Sequence, residues 1–252
     1  YAYLGTSGWV ASTKAREEDT PIAQGLFSLN HPVFSSKWHI LAASCVTAGG
    51  NIEWARKNLL TSSLDSKSGY KECSNIIKTA NPGSNGVLFL PWLNGERSPF
   101  TNPRARGCFI GISQNTTKGD LLRAVLEGCC YSVRSLVEAL LGRSEPQPFK
   151  KLVVVGGGTQ NQIWMEILAN VLNVPVQAIE DSQGIGAFGA YMLARRCLGI
   201  TQTLDLKDVK IRARVYRPQS ALKRLHDKRY SVYSKMHVVL KDTFGNLADG
   251  LQ

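Results

Sequence analysis

The sequence predicts an α/β domain, a mixed sheet flanked by helices, and three observations lead there. The β-branched run Lys151–Val155 stops at Gly156-Gly157-Gly158 and passes straight into an apolar 3.6-residue period at Ile163, Ile167, Leu168, Val171 and Leu172. A second strand-to-helix step follows, Val176–Ile179 and then 184–198. Ahead of both lies hairpin material at Ala2–Val10, so antiparallel strands come first and strand–helix alternation later.

In chain order, Gly5-Thr6-Ser7-Gly8 reads as a tight polar turn between short strands. Trp38–Leu41 reads as a strand, and Ala42–Leu60 as a helix interrupted at Gly49-Gly50. Thr61–Gly86 is polar and suggests surface structure ending in a loop at Asn81-Pro82-Gly83; Val87–Leu90 is a strand. Pro91–Arg106 is a long loop dense in turn residues, and Phe109–Ile112 is short and apolar. Lys118–Leu141 is a strong helix capped near Thr116 or Thr117, with Leu121, Leu122, Val125, Leu126, Val133 and Leu136 on its apolar side. In 184–198 the small residues Gly186, Ala187, Gly189 and Ala190 permit close backbone packing.

At 252 residues, 43% of them apolar, the chain has material for one large core or two small ones. No apolar run is long enough to span a bilayer, and no basic n-region or initiator Met opens the chain, which therefore reads as a fragment. Six cysteines lie scattered without CxxC or CxxH spacing, which points to a reduced, cytoplasmic protein and away from zinc. His31, His39, His226 and His237 show no ligand spacing.

The net charge of +11 is concentrated late. From Lys207 to Asp242 eleven Lys or Arg face three acids, eight of the eleven net charges. Leu222, Leu225, Tyr230, Val232, Tyr233, Met236 and Leu240 thread through its second half. The segment 207–245 reads as a helix with one apolar and one solvated basic side, with a polyanion or partner surface as the alternative. No nucleic-acid motif accompanies it, so no nucleic-acid partner is expected.

Glycines at a strand-to-helix junction let a ligand lie against the backbone, while free N–H groups at a helix start favour an anion or a flat polar ring. An ordinary turn has the same pattern. Three segments together carry a resemblance. Gly107-Cys108-Phe109-Ile110-Gly111-Ile112, seven residues, then Asp120–Glu127 resembles the second signature of the FGGY carbohydrate kinases at each specified position. Leu93-Asn94-Gly95-Glu96-Arg97-Ser98-Pro99 resembles the Gly-Glu-Arg-Thr/Ser-Pro loop of xylulokinase-like members, and Gly156-Gly157-Gly158 with Trp164 resembles their adenosine-binding turn. Tyr216-Arg217-Pro218 before a basic helix is also similar to theirs, so the likeness runs from about residue 1 to about residue 240.

The resemblance implies a two-domain kinase of the actin/Hsp70/hexokinase type, each domain built on a ribonuclease-H-like sheet, with ATP and sugar in the cleft between. Residues 1–252 would be the C-terminal, nucleotide-side domain. The catalytic Asp base would fall before Tyr1, and the Mg²⁺ carboxylates and most sugar contacts in an N-terminal domain. On the nucleotide side the resemblance implies roles for Gly5, Thr6, Ser7, Gly49, Glu53, Gly156, Gly157, Gly158 and Asn161. The turn at Gly5–Gly8 can offer N–H groups and two hydroxyls to a phosphate. By residue chemistry alone Gly49 and Glu53 read as a helix kink and a solvated acid, and Asn161 as a helix N-cap. Trp9, Glu96 and Arg97 are weaker substrate-cleft candidates: Trp9 equally suits a core, and a charged loop is usually solvated. The implied reaction is phosphorylation of a ketopentose such as xylulose, or a related polyol. A non-catalytic nucleotide-binding or interaction module is the alternative, and a homodimer is left open.

Overall fold

The computed structural model describes residues 1–15, 22–34, 36–60, 66–142, 149–201 and 211–249. Among the described residues nine strands and six α-helices run β1 (Ala2–Leu4), β2 (Gly8–Ala15), β3 (Leu26–Asn30), β4 (Trp38–Cys45), α1 (Gly49–Leu59), α2 (Ser66–Ile77), β5 (Leu88–Leu90), β6 (Cys108–Ile110), α3 (Lys118–Leu141), β7 (Leu152–Val155), α4 (Gln162–Leu172), β8 (Val176–Ile179), α5 (Ile185–Cys197), β9 (Ala213–Tyr216) and α6 (Ser220–Asp249). The seven-stranded sheet has the order β3-β4-β2-β1-β7-β8-β9. β1 runs parallel to β7 and β7 to β8, while the other pairs are antiparallel. Three central parallel strands with an antiparallel meander on one side make this a ribonuclease-H-like sheet.

One face of that sheet is the floor of the core. Ala2, Leu4, Val10, Ala43, Cys45, Val154, Val176 and Ala178 share it by register, and none is more than 2% exposed. Over it lie α3 and α4. Helix α3 starts at a capping box in which Thr117 and Asp120 satisfy each other's backbone N–H groups, and it ends at Gly142 in the left-handed conformation. Unlike a surface helix it is buried nearly all round, because β5, α1, α2 and α6 pack on its other sides. Gly128 lets β5 approach; a Cβ there would collide with the Phe89 carbonyl.

The third and fourth helices, the β7 and β8 strands and the hairpin match the sequence expectation. Four differences stand out. The expected helix 42–60 is a strand as far as Cys45, and α1 begins only at Gly49. The run Leu41–Cys45 pairs with β2 on one side, its first three residues also with β3 on the other, and most of it is buried, so it lacks the alternation that marks a half-exposed strand. Helix α2 forms within the polar stretch 61–86, anchored on Gly69, Cys73 and Ile77 at four-residue spacing; 61–65 lie outside the described residues. Strand β3 sits at a sheet edge and lacks a strong pattern. Finally, the segment expected to be helical over 207–245 contains β9, which pairs with β8, before α6 starts at Ser220; 207–210 lie outside the described residues. Arg217-Pro218 separates the two, since the residue before proline avoids the helical region.

Helix α6 crosses back over α3. Arg134 of α3 bonds Asp227 at 2.7 Å and Glu138 at 3.1 Å, and its guanidinium lies 4.3 Å from the Tyr230 ring centroid. Glu127, fully buried, accepts from Gly83 N, Ser84 Oγ and Arg123, which joins the loop before β5 to the same helix.

Candidate functional site

A cleft of about 1310 Å³ opens at the ends of the central strands β1 and β7, where the β1–β2 turn, the start of α1, the β7–α4 junction and α2 meet. Each wall has a reason in the sequence. Gly5 and Thr6 turn the chain between β1 and β2, and their carbonyls accept the first N–H groups of α1. Gly49 N donates to Gly5 O at 2.8 Å, Ala48 N and Gly50 N to Thr6 O at 2.8 and 3.0 Å. Helix and turn meet so closely that a Cβ on Gly49 would sit 2.6 Å from Gly5 O. The turn therefore has a fixed position, and the donors at the start of α1 are already used. Gly5 N is also used, donating to Ser7 O at 3.0 Å, so the turn offers fewer backbone donors than its composition suggests. Thr6 and Ser7 are exposed.

The triple glycine divides into two kinds. Gly156 has φ +99°, and a Cβ would lie 2.6 Å from Leu4 O; at Gly158 it would meet Trp164 at 2.7 Å. Packing against β1 and α4 demands both glycines. A Cβ on Gly157 meets nothing within 4 Å, because this residue faces the open cleft. Ser182 pins the turn from the β8–α5 connection, its Oγ accepting from Gly156 N at 2.8 Å. Asn161 caps α4, with Oδ1 accepting from Trp164 N at 3.1 Å. The helix-capping role of Asn161 is thus present in the structure, and the residue also lines the cleft.

Gly5, Thr6, Gly49, Glu53, Gly156, Gly157, Gly158 and Asn161 all line this one cleft, though they come from three separated stretches of chain. Ser7 does not line it. It borders a neighbouring hollow of about 350 Å³ together with Trp9, Arg97, Ser44 and Phe27. Trp9 lines both spaces, stacked at 6.0 Å on Tyr3 with Tyr1 edge-on at 5.2 Å, so it is a surface aromatic and not a core residue. Glu53 is no free acid: Arg56 grips it through two bonds of 2.8 and 2.9 Å and Lys57 lies at 3.2 Å, and the Arg56 bond first of all holds its carboxyl down to about 2. Glu96 departs furthest from the expectation of a solvated loop charge. It is 4% exposed, accepts from Val46 N and Arg97 N, and burial pushes its carboxyl up to about 7. Arg97 stays exposed at the rim of the smaller hollow.

Sequence reasoning missed the wall supplied by α2, namely Tyr70, Lys71 and Ser74, and the rim from Ser182, Ile185 and Gly186. No local signal marks α2, whose role follows from where it packs. The bare backbone of Gly157, Thr6 of the β1–β2 turn and Asn161 at the start of α4 line one continuous space. Among the described residues no three His, Cys, Asp or Glu side chains converge on a metal ion, and no helix is long and apolar enough to cross a membrane.

Comparison with known proteins supplies the family. The model of the FGGY family of carbohydrate kinases, C-terminal domain, matches residues 1–197. A xylulose kinase from Staphylococcus epidermidis is 28% identical over 246 residues, 97% of this chain and 47% of its own length. One from Staphylococcus xylosus is 31% identical over 191 residues, 76% of this chain and 37% of its own. A solved ligand-bound xylulose kinase from Lactobacillus acidophilus superposes with a TM-score of 0.82 at 25% identity, over 98% of this chain and 48% of that one. The chain spans about half the length of the curated relatives it matches most fully. With a sheet, a cleft and a family model that agree over most of its length, this chain belongs to the FGGY family of carbohydrate kinases.

Proposed function

We propose that residues 1–252 form the C-terminal, nucleotide-side domain of a cytoplasmic kinase that phosphorylates a hydroxyl of a ketopentose such as xylulose, or of a related polyol, with MgATP. The observation that carries this reading is the convergence of the Gly5-Thr6 turn, Gly49 and the open Gly157 on one cleft. Bound ATP would supply the phosphoryl group, a transfer that depends on alignment and charge stabilisation more than on covalent help from the protein. In this chain Gly157 would let the adenine ring lie flat on the backbone, and Asn161 Nδ2 would donate to a ring or ribose acceptor. Thr6 would present its hydroxyl to the phosphates from a turn that α1 holds in place.

The base and the metal carboxylates would come from an N-terminal domain. In support, the one carboxylate lining the cleft among the described residues, Glu53, is paired with Arg56 and Lys57. That domain would cover the sheet face that carries Tyr3, Trp9 and Phe27, and closure would bring the phosphate in line with the sugar and exclude water. The names of the relatives support xylulose as the acceptor.

An adenine-nucleotide titration of the chain tests the first part. Weak binding is expected, since half the enclosure is absent, with no sugar-dependent ATP turnover. Turnover by this chain alone would overturn the division of labour. For the whole kinase, a panel of ketoses and polyols decides: phosphorylation of none would defeat the reading.

A further inference from the structure

We infer that Glu96 is a positioning residue: from inside the protein it holds the strand end on which the Thr6 turn rests. The role deepens the nucleotide reading of the cleft, and it rests on geometry. Glu96 Oε1 accepts from Val46 N at 3.0 Å, just past the end of β4, and from Arg97 N at 2.9 Å. Its own backbone is fixed by a reciprocal pair of 2.9 Å bonds with Asn102. Two neighbours grip the same strand end: Asn94 Nδ2 donates to Thr47 Oγ1 at 3.4 Å, and Ser98 Oγ accepts from Ser44 N at 3.2 Å. The gripped segment leads directly into Ala48, Gly49 and Gly50, whose N–H groups hold the Gly5 and Thr6 carbonyls. Loop 94–98 thus reaches the turn through one strand end, and Glu96 is its buried acidic member.

The groups acting on Glu96 come from four elements. Arg97 lies on its own loop, Cys45 on β4, Cys129 on α3 and Tyr233 on α6. Burial raises Cys45, Cys129 and Tyr233 and keeps them neutral, so Arg97 is the charged neighbour, and it is exposed to solvent. Burial raises Glu96 from 4.5 to about 7, which means the closed loop favours the protonated carboxyl. Opening the loop hydrates the group and restores its ordinary value. Opening therefore becomes easier as pH rises from 4.5 to about 7 and changes no further above that.

Amide hydrogen exchange at Val46 and Ala48–Gly50, corrected for intrinsic rates, reads this directly, and ADP titration runs beside it. In the wild type, protection at these amides should fall roughly 70-fold between pH 5 and 8 while core amides such as Val171 stay level. Glu96→Gln, a neutral isostere that keeps the acceptor, should show no such slope and bind ADP as the wild type does. Glu96→Ala should lose protection at every pH and weaken ADP about tenfold, because the competent turn is populated less often. A Glu96→Gln slope equal to the wild type overturns the assignment, and so does unchanged protection in Glu96→Ala. If Glu96→Ala does not fold, the Gln comparison decides by itself. Should ADP fail to bind while the exchange pattern appears as expected, the grip on the turn stands and the nucleotide reading falls.

Discussion

The two faces of the seven-stranded sheet carry similar apolar residues and meet opposite fates. On one, Leu4, Val10, Ala43, Val154 and Val176 vanish beneath α3 and α4. On the other, Tyr3, Phe27, Leu29, Trp38 and Val215 remain 36–52% exposed, and α5 has no buried residue. The covered face behaves as the interior of a finished domain, packed to the point where single glycines decide whether elements fit. The open face, continuous with the cleft through Tyr3 and Trp9, is apolar surface that folding of this chain leaves in water. Burial sets what a residue contributes to stability, so the two faces should answer mutation differently.

The largest effect belongs to the covered side. Leu168→Ala, at 0% exposure, should cost about 4 kcal/mol in denaturant unfolding, whereas Tyr3→Ala on the open face should cost less than about 1. Equal losses would mean that the open face is also a core. The triple glycine offers the same contrast within three residues. Gly156→Val should cost about 3 kcal/mol, from a φ of +99° and contact with Leu4 O, while Gly157→Val should leave the melting temperature nearly unchanged and abolish nucleotide binding. A Gly157→Val chain that folds and still titrates with ADP would move the site elsewhere.

Smaller effects sharpen the boundary between cleft and core. In the whole kinase Thr6→Val should lower kcat about tenfold with the sugar KM unchanged, and a raised KM at constant kcat would reassign Thr6 to ground-state binding. Glu53→Gln should cost about 0.5 kcal/mol near neutral pH, since the pair with Arg56 is partly hydrated. The Glu53 carboxyl is held at about 2, so its contribution is present above 4.5 and lost as pH falls toward 2. Glu53→Gln should therefore flatten part of the acid limb of the stability curve, and an unchanged limb would show that the pair contributes nothing.

The sequence by itself determined those elements whose signal is local. The strands β7 and β8, the helices α3 and α4 and the Thr117 and Asn161 caps are written in runs, periods and end residues. Motif spacing carried the family, and with it eight residues that meet in one cleft. Tertiary structure decided whatever depends on a neighbour. Ala42–Cys45 is a strand because β2 lies on one side with β3 reaching its start on the other, and β9 is a strand because β8 offers it an edge. Helix α2 became a cleft wall by packing on Arg56 and α3. Glu96 has the composition of a solvated loop residue and lies in the interior, since a loop's own sequence does not say what closes over it. Gly156, Gly157 and Gly158 are identical in sequence, and only the atoms of Leu4 and Trp164 reveal that two of them serve packing while the third faces open space. Local patterns record how a chain prefers to turn and which side it hides; contacts between distant segments settle what that side touches.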